Sequence, residues 1–117
     1  QKAATVALNG DQACVARMNE AFRQRHDYVV AALNALPGVS ALPGFGTFYA
    51  FANVEGAMRS LGCADDQAFA EKLLAEALVA VVPGSGFGSP GHVRLSFASS
   101  METLRAALER IGTLLRA

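Results

Sequence analysis

Apolar side chains recur at spacings of three, four and seven along residues 12–36, where Val15, Met18, Phe22, Val29, Leu33 and Leu36 share one helical face. Arg17, Glu20, Arg23, Gln24 and Asp27 lie elsewhere around the same helix, and Pro37-Gly38 stops it. A helix this long with one narrow apolar seam often bridges structural units as well as packing a core. The preceding "QKAATVAL" already reads as the middle or end of a helix and breaks at Asn9-Gly10, after which Asp11 can cap the next helix. The chain opens there without methionine, which leads us to expect a piece of a longer polypeptide.

Beyond residue 37 the pattern shortens. Val39 to Leu42 can form an edge strand, and Pro43-Gly44 turns the chain into an aromatic-rich strand at Thr47 to Val54. There Phe48 faces one side and Tyr49 and Phe51 the other. A shorter helix starts around Asp65-Asp66 and buries Phe69, Leu73 and Ala77, with Glu71, Lys72 and Glu76 outside. Leu78 to Val82 reads as a buried strand, followed by a glycine loop and a strand at His92 to Ala98. Ser99-x-x-Glu102 has the form of a capping box, and Leu104, Leu108, Ile111 and Leu115 follow on one face of a terminal helix. The order helix, strand, strand, helix, strand, strand, helix predicts an α+β domain: a small, mostly antiparallel sheet with helices on one face. We divide the single domain 1–117 into a long helical region, 1–36, and an α+β core, 37–117.

Composition narrows the function. The 117 residues are 52% apolar, with ten Lys plus Arg against ten Asp plus Glu. That is ample material for one core, and it offers no basic surface for nucleic acid. The apolar stretches fall short of the roughly 20 residues of a membrane span, and no signal peptide is visible. Cys14 and Cys63, far apart and without metal-ligand neighbours, read as two small buried thiols of a reduced, cytoplasmic protein.

The candidate chemistry concentrates in "VAVVPGSGFGSPGHVRLSF", residues 79–97. Its glycines lead into an alternating strand instead of a helix, so they lack the N-terminal N–H groups a phosphate cradle requires. In "HVRLSF", Val93, Leu95 and Phe97 alternate with His92, Arg94 and Ser96, which puts Arg94 on the polar face. A strand can fix a guanidinium that grips a carboxylate through two parallel hydrogen bonds. On alternation alone, the plainer reading is an arginine on a solvated sheet face, paired to a nearby glutamate. His92 is a loop or strand-end residue, His26 in "RQRHDY" is solvated, and Lys2 and Lys72 are helix-surface residues. No nucleophile has a relay partner.

The succession "RHDYVVAALNALPGV", "GTFYAF", "LLAEALVAVVPGSGFGSPGHVRLSFA" and a capped terminal helix resembles one family over essentially the whole chain. It is similar to the C-terminal small domain of aspartate-aminotransferase-type enzymes, the class I/II, fold-type I pyridoxal-phosphate proteins. The resemblance implies that Arg94 binds the substrate α-carboxylate and that Phe48, in "GTFYAF", lies near the substrate cleft. It implies amino-group transfer between an amino acid and a 2-oxo acid, through pyridoxal phosphate bound to an upstream lysine. Neither Lys2 nor Lys72 matches that lysine. The catalytic and cofactor-binding groups would therefore lie in a large domain outside this chain, in a homodimeric parent, and the isolated chain would be inert. Lyases and synthases of the same family share the arginine. A free-standing module that holds a carboxylate on Arg94 without chemistry is the alternative from another class.

Overall fold

The computed structural model describes residues 1–117 and contains five helices and one four-stranded sheet. Helices α1 (Lys2–Asn9) and α2 (Ala13–Asn34) come first, followed by strands β1 (Ser40–Ala41) and β2 (Tyr49–Asn53). After α3 (Glu55–Ser60) and α4 (Asp66–Lys72) the chain continues as a wider π-helical turn, Leu73–Ala77. Strand β3 (Val82–Pro83), a 3₁₀ turn (Gly84–Phe87), β4 (His92–Ser96) and α5 (Met101–Arg116) complete the fold. The sheet order is β1-β2-β4-β3, and all neighbours are antiparallel. The predicted α+β architecture is thus the observed one.

The alternation along the strands decides which face is covered. Ala50 and Ala52 of β2 and Val93 and Leu95 of β4 point into a core of 19 buried apolar residues. Against them pack Val29 and Leu33 of α2, Phe69 of α4, Leu73 of the π-turn, and Leu104, Leu108, Ile111 and Leu115 of α5. Phe69, Phe97, Leu73 and Val29 are at most 1% exposed, and burial of such a side chain stabilises by about 1.5–3 kcal/mol. All helices packed against the sheet take this one face, which leaves the other open. Asn34, in the last turn of α2, fastens the edge: its amide donates to the Ala41 carbonyl and accepts from the Ala41 N–H, both at 2.9 Å.

The seam of α2 is only half used. Val29 and Leu33 are buried, whereas Val15 and Met18 are exposed, as are Val6 and Leu8 of α1. This uncovered arm explains a radius of gyration of 16.5 Å, against about 13 Å for a compact chain of this length.

Several local expectations are corrected. Helix α3 occupies residues that showed no helical period, and it sits where Gly56 meets Gly38 so closely that a Cβ on Gly56 would lie 2.7 Å from the Gly38 Cα. Leu78 to Val82 is not a buried strand: the helical path runs on to Ala77, Leu78 turns out with φ 56° and is exposed, and only Val82–Pro83 pairs with β4. The cap of α5 is Ser100 and not Ser99; its hydroxyl accepts the Thr103 N–H at 3.1 Å. Cys14 is exposed, while Cys63 is half-buried, and both are free thiols. No helix is long and apolar enough to cross a membrane.

Candidate functional site

The open sheet face is built by the alternate residues of its two central strands. Tyr49, Phe51 and Asn53 of β2 stand opposite Ser96, Arg94 and His92 of β4. Val82 of β3 pairs with Arg94 on the other side. Arg94 therefore occupies an inner strand, held by a ladder on each flank.

Its guanidinium carbon lies over two aromatic rings. The Arg94 Cζ is 4.3 Å from the Tyr49 ring centroid and 4.5 Å from that of Phe87, which the 3₁₀ turn brings in from the β3 side. Both distances fall within cation–π range. Phe51 meets Phe87 edge-on at 6.4 Å and stacks on His92 at 5.2 Å with only 10° between the planes. The His92 Nδ1–H donates to the Pro90 carbonyl at 3.0 Å, because a carbonyl oxygen only accepts.

Arg94 has no acidic partner. The ion pairs of the chain are Arg23–Glu20 and Lys72–Glu76, both on helices. The Arg94 Nε is buried and makes no hydrogen bond. An unpartnered buried N–H costs about 1–3 kcal/mol, and native proteins seldom carry one without a reason. The picture of an arginine paired to a surface glutamate is therefore replaced by that of a held guanidinium with a donor to spare.

An open groove of about 530 Å³ runs along the neighbouring edge of this face, lined in part by Ser40, Leu42, Tyr49, Phe51 and His92. Its far wall is the loop 44–47, which His26 pins to α2. Gly44 N–H donates to His26 Nε2 at 2.9 Å, the His26 Nδ1–H reaches Asp27 at 2.9 Å, and the ring meets Phe97 edge-on at 5.9 Å. His26 is thus a structural clasp, in contrast to the solvated residue expected. Thr47, in that loop, holds a φ of 66°, an uncommon conformation for a β-branched residue. Phe48 sits 6.2 Å from Phe22 of α2 and 4.4 Å from Tyr49, one residue away from the ring that meets Arg94.

Tyr49 and Phe87 are the site residues that sequence reasoning missed. Tyr49 had a signal, since it shares a face with Phe51, but its pairing with β4 is not readable from one strand. The two marked titration shifts lie away from this face. Hydrogen bonds from Gln24 and Arg23 hold the Glu20 carboxyl below its ordinary value, and the bond to Glu76 raises the Lys72 ammonium. No group of three or more His, Cys, Asp or Glu side chains converges as a metal site would require. The face can hold and orient a planar anion, and it presents no nucleophile activated by a base.

The model for the family described as aminotransferase class I and II matches residues 1–111. The chain belongs to the class I and II aminotransferases. Among curated members, the aspartate/prephenate aminotransferase of Nitrosomonas europaea is 46% identical over 98% of this chain and 30% of its own length. The crystal structure of the Rhizobium meliloti aspartate aminotransferase superposes with a TM-score of 0.88 at 37% identity, over 97% of this chain and 30% of that one. The Thermus thermophilus aspartate aminotransferase with maleate gives a TM-score of 0.78 at 43% identity, over 88% of this chain and 25% of that one. This class I and II aminotransferase chain thus spans about 30% of the length of the curated relative.

Proposed function

We propose that these residues form the C-terminal small domain of a pyridoxal-phosphate-dependent aminotransferase acting on aspartate or a related amino acid and a 2-oxo acid. Arg94 holds the substrate α-carboxylate. The observation that carries the assignment is the guanidinium itself, gripped by Tyr49 and Phe87 and free of any carboxylate of the chain. Such an arginine is preorganised, so little freedom is lost when two charge-assisted hydrogen bonds form. It fixes one end of the substrate and so sets the direction of the bonds at Cα. Phe48 flanks the same cleft behind Tyr49.

Pyridoxal phosphate, which family membership implies, supplies the electron sink for bond breaking at the substrate Cα. This chain does not fit it as a holder. Lys2 begins α1, Lys72 ends α4 in a pair with Glu76, and neither stands on a strand of the Arg94 face. We assign the Schiff-base lysine and the phosphate and ring contacts to a large domain of the parent, which we take to be a cytoplasmic homodimer. By itself the chain is expected to be inert.

Two measurements on the full-length protein test this. Intact mass after borohydride reduction should show one pyridoxyl adduct on a chain much longer than 117 residues. Arg94→Lys, which keeps the charge but loses the fork, should weaken maleate binding by roughly 10–100-fold, as expected for one lost charge-assisted hydrogen bond. An unmodified chain of this length, or unchanged maleate affinity in the variant, would overturn the reading.

A further inference from the structure

Asp66 is the one buried charged side chain of the core, only 2% exposed, yet α4 does not need it as a cap. Asp65 already fills that role, accepting the Ala68 N–H at 2.8 Å. The Asp66 carboxylate turns inward and accepts the Ser85 N–H at 2.6 Å, across nineteen residues of chain. A buried carboxylate is costly unless its contact is used, and this one grips the turn that carries Phe87.

That turn has few other places to go. Gly84 lies so close to the chain beyond it that a Cβ there would stand 2.4 Å from the Ser89 carbonyl oxygen and 2.8 Å from the His92 Cβ. The Ser89 N–H returns to the Gly84 carbonyl and the Gly88 N–H to that of Ser85, both at 3.0 Å. The turn is thus a small rigid unit. It is fastened to β4 at one end by the pairs Val82–Arg94 and Pro83–Val93, and to α4 by Asp66. Its outer residue, Phe87, ends 4.5 Å from the Arg94 guanidinium.

We propose that Asp66 is a positioning residue for carboxylate binding. Through the Ser85 N–H it sets the place of the 84–87 turn, and so holds Phe87 against Arg94. The inference rests on the assignment of Arg94 as the carboxylate anchor. It adds that the helix under the sheet, and not only the open face, determines how firmly the guanidinium is aimed.

The test is calorimetric titration of maleate into the full-length holoenzyme. Asp66→Ala and Phe87→Ala should each weaken binding by about tenfold, because a guanidinium no longer held against Phe87 must give up its rotamer freedom when it binds. The double variant should be no weaker than either single one, because both act through the same ring. Asp66→Asn keeps an acceptor oxygen and the volume, so it should bind within about twofold of wild type; if Asp66→Ala does not fold, Asp66→Leu, which fills the space without an acceptor, takes its place with the same tenfold loss expected. Losses that multiply in the double variant, unchanged binding in Asp66→Ala, or a tenfold loss in Asp66→Asn would each refute the positioning role. Arg94→Lys separates this from the underlying assignment. If that variant weakens maleate while Asp66→Ala does not, only the role of Asp66 fails. If Arg94→Lys binds normally, the carboxylate anchor itself is lost.

Discussion

Replacing Arg94 with methionine should separate binding from folding. In the free domain two contributions of opposite sign meet at this side chain. The rings at 4.3 and 4.5 Å stabilise the guanidinium by about 0.5–2 kcal/mol each. Against this stand the unpartnered buried Nε–H, which costs about 1–3 kcal/mol, and the roughly 2 kcal/mol of rotamer freedom that an arginine carries. Methionine retains the apolar stem and a sulfur–aromatic contact of about 0.3–1.5 kcal/mol, and its own rotamer cost of about 1.5–2 kcal/mol cancels that of arginine. The net change in stability should therefore lie within about 1 kcal/mol of zero, on the order of 6 °C in Tm at most for a domain of this size. Binding has no such cancellation. The proposed anchoring loses two charge-assisted hydrogen bonds of about 1.5–3 kcal/mol each, so maleate affinity of the full-length protein should fall by roughly 10²–10⁴-fold. Urea denaturation of the 117-residue chain and calorimetry with maleate check the two halves. A stability loss above about 3 kcal/mol, the scale of a core cavity, would show that the guanidinium is a structural prop. Affinity within threefold of wild type would refute the anchoring argument directly.

Other positions give sharp signs. Gly56→Ala should raise the helix propensity of α3 by about 1 kcal/mol, yet destabilise the domain by about 1–3 kcal/mol net, because the new Cβ meets the Gly38 backbone; a thermal melt that rises would contradict the packing. Ser100→Ala should cost about 1 kcal/mol through loss of the Thr103 N–H acceptor, while Ser99→Ala should be near neutral, and equal effects in urea titrations would disprove the cap assignment. The Glu20 carboxyl is held below its ordinary value near 4.5, so its support of α2 is complete at neutral pH and fades as pH falls through the folded-state value. Glu20→Gln should flatten the acid limb of the far-UV circular dichroism titration; an unchanged limb would show that the pair with Arg23 and Gln24 contributes nothing.

What could be read from the sequence was what repeats. The i, i+4, i+7 apolar positions of α5 are its buried ones, and the alternation of "HVRLSF" put Arg94 on the face where it stands. What escaped depends on single close contacts. Helix α3 is short and anchored by a glycine–glycine backbone approach, which leaves no apolar period to detect. The run from Leu78 to Val82 is apolar whether it ends a helix or forms a strand, and the left-handed residue that ends the helix is a leucine where glycine would have signalled it. His26 looked polar and solvated among charged neighbours, but its ring nitrogen faces a loop eighteen residues away. Likewise the sandwich around Arg94 joins Tyr49 from one neighbouring strand to Phe87 from a turn, and no local pattern links them.

The placement of β4 between β2 and β3 bears on how such a domain can diversify. An arginine on an inner strand cannot drift, since shifting its register would break two ladders and carry Val93 and Leu95 out of the core. The walls of the groove, by contrast, come from the two-residue edge strand β1 and the loop before β2, where replacements disturb little of the ladder. A lineage built on this scaffold can therefore reshape the groove by changing its rim, while the position of the inner-strand arginine stays fixed by two ladders.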